Sequence, residues 1–71
     1  MSLLIAPVGQ ELKIARIAGD DKVRKHLESL GIVKDETIAL LSHEKNGAIV
    51  RIKDSRLAID DSVLSSIIVI S

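Results

Sequence analysis

From Gln10 to Ala18 apolar and polar residues alternate, with Leu12 and Ile14 two apart, which is the period of a strand buried on one face. Ile17 falls out of phase and predicts a bulge or bend late in that strand. The period then changes. Val23, Leu27 and Leu30 recur at i, i+4 and i+7, the inward stripe of a helix whose Lys22, Lys25 and Ser29 face water. Gly19-Asp20-Asp21 supplies a turn and an N-cap, and Asp21 places negative charge in the first turn, where the helix dipole favours it. Gly31 offers the left-handed position after the helix, with Ile32 folding back on the stripe. The spacing predicts a helix over about Asp21 to Leu30, with Leu27 and Leu30 in the core.

Two further strands, Thr37 to Ser42 and Ala48 to Lys53, are joined by His43-Glu44-Lys45-Asn46-Gly47. Asn46 and Gly47 both tolerate positive φ and mark a hairpin, although a five-residue connection leaves its register open. Val50 and Ile52 share one face of the second strand, while Ile49, Arg51 and Lys53 share the other. Asp54-Ser55 turns the chain into a short strand, Arg56 to Ile59. Asp60-Asp61-Ser62 opens a helical turn carrying Val63 and Leu64, and Ile67 to Ile70 forms a last, β-branched strand. The outline is a mainly β chain of about five strands with one helix inserted after the first, a small partly open barrel. A sheet covered on one face by the helix is the rival arrangement.

Composition narrows this picture. The 71 residues suffice for one domain spanning 1–71, and its core must be built from Ile, Leu, Val and Ala, because Phe, Trp and Tyr are absent and there is one Met. Chains shorter than about 70–80 residues are marginal without disulfides, metals or partners. This one has no Cys, which removes the first support, suits a reducing compartment and makes self-association or docking plausible. Ten basic and ten acidic residues give a formal net charge of zero, so no overall field draws the chain to nucleic acid or anionic lipid. Apolar runs such as Leu3 to Ile5 and Ile67 to Ile70 fall far short of the roughly 20 residues that span a bilayer. No direct membrane insertion is expected. No basic segment with a signal-length apolar core precedes Pro7 and Gly9, and the cytoplasm is the expected location.

Gly9, the strand with Ile14 and Ile17, the stretch Leu27-x-x-Leu30-Gly31-Ile32, the hairpin, and the tail Leu57-Ala58-Ile59 followed by Leu64, Ile67 and Val69 together resemble the FeoA family over nearly the whole chain. That resemblance implies an SH3-like barrel in the cytoplasm that assists the membrane ferrous-iron transporter FeoB by contacting its cytosolic, nucleotide-binding part. The same domain type closes iron-dependent repressors at their C-terminus, which implies a docking or dimerisation role as the alternative. Three positions depart from the family pattern. Lys34-Asp35 stands where Pro-Gly is common, Asp60 where a basic residue is usual, and Leu64 where Ala is common. The first bears on the turn after the helix and the second on the charge of a docking face.

Candidate chemistry is sparse. His26 beside the helix stripe and His43 in the hairpin connection are too few and too distant for a transition-metal site, which gathers three or four ligands. Asp20-Asp21 and Asp60-Asp61 read as helix-start residues serving backbone N–H groups. No nucleophile with a base and an orienting acid is recognisable, and the four glycines are isolated, so no phosphate loop is present. The sequence therefore predicts a non-enzyme with no catalytic residue, no metal ligand and no cofactor. Missing aromatics weigh against a groove for proline-rich peptides and a platform for single-stranded nucleic acid, and a nucleic-acid-associated small barrel is the runner-up function. Two surface groups remain as candidates for partner binding. The resemblance places Ile67 and Val69 inward, which sends Ile68 and Ile70 outward, to be covered either by Leu3, Leu4 and Ile5 or by a partner or second copy. Arg51, Lys53 and Arg56 form a small basic cluster suited to an acidic surface.

Overall fold

Strand β1 covers Glu11–Ile17, with Leu12 and Ile14 buried and Glu11 and Lys13 exposed. Its pairing slips between Ile14 and Arg16, so the expected bulge falls at Ala15. The computed structural model describes residues 1–70. Helix α1, Asp21–Ser29, begins where Asp20 Oδ1 accepts the Val23 N–H at 3.0 Å. It ends in paired reverse bonds: the Ile32 N–H donates to the Leu27 carbonyl at 2.9 Å and the Gly31 N–H to the Glu28 carbonyl at 3.0 Å. This double closure requires a residue in the left-handed region, and Gly31 supplies it at φ +87°. Ile32 is driven into the core as the hydrophobic partner of the cap.

The helix stripe is narrower than its spacing suggests. Leu27 is fully buried and Val23 packs at the core's margin, but Leu30 is 38% exposed. Leu30 is the C-cap residue at the very end of the helix, where it lines an open cleft beside Ala58 and Val63 and is not closed over by the core. Beyond it, the Asp35 N–H donates to the Ile14 carbonyl at 2.8 Å and the Ile14 N–H to the Glu36 carbonyl at 2.9 Å, stitching the turn to β1. Asp35 adopts φ +75°. The turn thus keeps a left-handed residue although no glycine stands there, and Asp is among the few side chains that tolerate it.

Strands β2, Thr37–Glu44, and β3, Gly47–Ile52, form a tighter hairpin than the sequence predicts. His43 and Glu44 continue the ladder opposite Ala48 and Gly47, leaving Lys45 and Asn46 as a two-residue loop. Neither Asn46 nor Gly47 has positive φ. The glycine serves close approach instead: a Cβ at Gly47 would lie 2.2 Å from the Ile59 carbonyl oxygen on the neighbouring strand. The next turn also shifts by one residue. Lys53, at φ +54°, and Asp54 make it, so Lys53 belongs to the turn and β4 runs Ser55–Asp60.

Helix α2, Asp61–Ser66, is capped like α1, with Asp60 Oδ1 accepting the Val63 N–H at 2.8 Å, and leads into β5, Ile67–Ile70. The five strands form one antiparallel sheet in the order β4-β3-β2-β1-β5, which does not close on itself. Its inward face carries Leu12, Ile14, Ile38, Leu40, Val50, Ile52, Ile59, Ile67 and Val69, joined by Leu27, Ile32 and Leu64. The barrel outline holds, with two helices as connections between strands. At the N-terminus a single 3-10 turn, Leu3–Ile5, drops Leu3 into this core. Ser2 bridges to Ile68, and Met1 and Val69 exchange backbone bonds of 2.9 and 2.7 Å along the outer edge of β5.

Candidate functional site

Because directly opposed residues point the same way, the register defines the outward face row by row. Glu11, Ala39, Arg51 and Arg56 stand in line across four strands. Ile70 and Thr37 flank Lys13 in the neighbouring row, and Ile68 lies opposite Arg16 beyond the bulge. The two groups of candidate residues are therefore not brought together: Ile68 and Ile70 lie on β5, Arg51, Lys53 and Arg56 on or beside β3 and β4, with β1 and β2 between them.

The basic cluster is largely neutralised. Arg51 reaches Glu11 at 3.7 Å, and Lys53 reaches Glu36 at the same distance. Between these pairs, over Thr37 and Ala39, lies a shallow pocket of about 120 Å³ walled by all four charged side chains. They bury Ala39 on the outward side of the sheet. Arg56 joins no ion pair among the described residues and faces the like charge of Arg51 across the ladder, an arrangement that mildly disfavours the strand pair unless an anion relieves it.

On β5, Ile67 and Val69 are fully buried, Ile68 is half-buried and Ile70 is 51% exposed. The N-terminal residues do not close over Ile70. Leu3 points inward, Leu4 is half-buried and Ile5 is itself 72% exposed. Ile70 sits beside Lys13, whose ammonium lies 3.8 Å from Asp35, so an apolar spot is bordered by charge.

His26 and His43 are both exposed and on separate elements, α1 and β2. Among the described residues no three His, Cys, Asp or Glu side chains gather as a metal site would require, and no polar or charged side chain is buried. Asp20 and Asp60 are engaged as helix caps. His26 borders a small cleft between α1 and β4 with Leu30, Ala58, Asp60 and Val63. A second groove, between β1 and α1, is edged by Arg16, Arg24, Glu28 and Lys34. Single-strand patterning does not reveal that groove, since its residues come from three separate segments.

The FeoA domain profile matches residues 1–71. No curated protein matches the sequence. Among solved structures, a crystal structure of an iron uptake regulatory protein (FeoA) superposes with a TM-score of 0.88 at 24% identity, covering 97% of this chain and 93% of that one. Stenotrophomonas maltophilia FeoA complexed with zinc, described as a prokaryotic SH3 domain protein, matches with a TM-score of 0.84 at 20% identity over 97% and 88% of the two chains. A manganese-dependent transcriptional repressor matches all of this chain with a TM-score of 0.91 at 22% identity, but the match spans 41% of the repressor. These likenesses carry the fold, an SH3-like mainly β architecture. No helix among the described residues is long and apolar enough to cross a membrane.

Proposed function

The chain belongs to the FeoA family, which is linked to ferrous-iron transport, and on that premise we propose that it is a cytoplasmic, non-enzymatic accessory protein that acts by contact with the cytosolic part of the transporter FeoB. The observation that carries this reading is the outward side of β5. Ile70 is half exposed beside the Lys13–Asp35 pair and two residues from the half-buried Ile68, and apolar side chains bordered by charge are common at the centre of protein contacts.

A second reading is favoured by the repressor likeness: the same fold serving as a docking or dimerisation module. Neutral net charge and missing aromatics weigh against a nucleic-acid role. Co-purification with the transporter's cytosolic part tests the leading reading. Ile70→Ser should leave the circular dichroism spectrum and melting point of the chain nearly unchanged and weaken the complex. A folded variant with full transporter binding would remove β5 from the contact, and loss of self-association alone would favour the dimerisation reading.

A further inference from the structure

The groove between β1 and α1 gathers more positive than negative charge around an aliphatic floor. Its walls are Ile17 and Val33, each half-buried, over the buried Ile32, and its volume is about 250 Å³. Arg16, Arg24 and Lys34 stand on its rim against a single acid, Glu28. Arg24 is held by Asp21 one turn earlier on α1, but Arg16 and Lys34 join no ion pair among the described residues. Across the chain as a whole the charges sum to zero, so this local excess of cations around an aliphatic floor is a property of the fold.

We propose that this groove receives an acidic segment of a partner protein that carries one aliphatic side chain between its carboxylates. The aliphatic group lies on Ile17 and Val33, and its removal from water provides the non-directional part of the attraction. Flanking carboxylates meet Arg16 and Lys34. The Arg16 guanidinium can donate two parallel hydrogen bonds to a carboxylate, which fixes orientation, whereas Lys34 acts as a point charge. Ile68 stands opposite Arg16 on β5, so Arg16 links the rim of the groove to the outward side of that strand. The inference rests on the protein-contact reading above and adds the location and chemistry of the bound segment.

Titration of the isotope-labelled full chain with an acetylated, amidated peptide of sequence Glu-Asp-Leu-Asp-Glu provides the test. Amide shifts should move at Ile17, Ile32 and Val33, and affinity should drop when salt is raised from about 0.05 M to about 0.3 M. Arg16→Glu and Lys34→Glu, both at exposed positions and checked for unchanged melting, should each weaken binding by about fivefold or more. A peptide with serine in place of leucine should bind more weakly, and one with lysines in place of the acids should not bind. The proposal is overturned if the acidic peptide leaves the groove amides unmoved at millimolar concentration, if the charge reversals have no effect, or if a single-stranded oligonucleotide fills the groove and the peptide does not. A parallel titration with the transporter's cytosolic part separates the two claims. Binding there with shifts confined to other surfaces sinks the groove and leaves the transporter contact standing, while peptide capture by the groove without transporter binding does the reverse.

Discussion

Leu12, Ile38 and Ile52 stand opposite one another on the inward side of the sheet, and one residue away Glu11, Ala39 and Arg51 stand opposite one another on the outward side. The two rows share strands, register and backbone hydrogen bonding, yet they differ in what they demand of the sequence. The inward row is closed on all sides by aliphatic neighbours. In a chain without aromatic residues each branch must fill space that no larger ring can take over, and close packing makes loss of even one methylene felt. The outward row is held by one ion pair between exposed groups, Arg51 with Glu11 at 3.7 Å, and such a pair contributes between nothing and about 1 kcal/mol. Stability is concentrated on one side of the strands, which leaves the other side free to vary in charge and shape.

The comparison can be broken most directly from the inside. Ile38→Ala removes the centre of the inward row and should cost about 2–5 kcal/mol, a large part of the stability a domain of this size commands. Urea denaturation should show a collapse of the midpoint, and a variant as stable as the parent would mean that the inward row is wrongly placed. Gly47→Ala tests a smaller and different term. The added Cβ meets backbone, the Ile59 carbonyl at 2.2 Å and the Asp60 Cα at 3.0 Å, so β3 and β4 must part locally, at an expected cost of about 1–3 kcal/mol. Protection of β4 amides against hydrogen exchange should fall first. On the outside, Arg56→Glu replaces a like-charge cross-strand pair with an opposite one, and thermal melting should rise by an amount corresponding to about 0.2–1 kcal/mol. A fall in melting point there would indicate that Arg56 has an anionic partner on the protein that the ion-pair geometry does not reveal.

The same division explains what the sequence discloses. Inward positions leave a periodic trace, so Leu12, Ile14, Leu27, Val50 and Ile52 are legible from spacing, as are the caps at Asp20 and Asp60 and the reverse closure at Gly31 and Ile32, whereas the inward placing of Ile67 and Val69 within an all-apolar run comes from the family resemblance. Leu30 continues the spacing but not the helix, and an apolar residue at a C-cap carries no mark that distinguishes it from one in the last turn. Gly47 misleads for another reason. Glycine is read as a turn former because local conformation is what a sequence displays, whereas its use here is clearance from a strand more than ten residues away. The hairpin's two-residue loop follows from pairing of His43 and Glu44, polar residues with no inward period to announce a strand. The two candidate surface groups were recognisable as outward residues, but their separation depends on the strand order. The neutralisation of Arg51 and Lys53 depends on Glu11 and Glu36 from other segments, and the groove on β1 and α1 depends on three segments meeting. Each is a long-range consequence that no local pattern contains.

The bonding of Met1 to Val69 and of Ser2 to Ile68 has a mechanical meaning. These residues run antiparallel, so the entering and leaving ends of the described chain emerge on the same side of the pair. Tension applied between the ends would load those backbone bonds one after another, as in opening a zip, instead of loading them together in shear. The fold should therefore yield first along the outer edge of β5, releasing Leu3 from the core before the central strands bear any force.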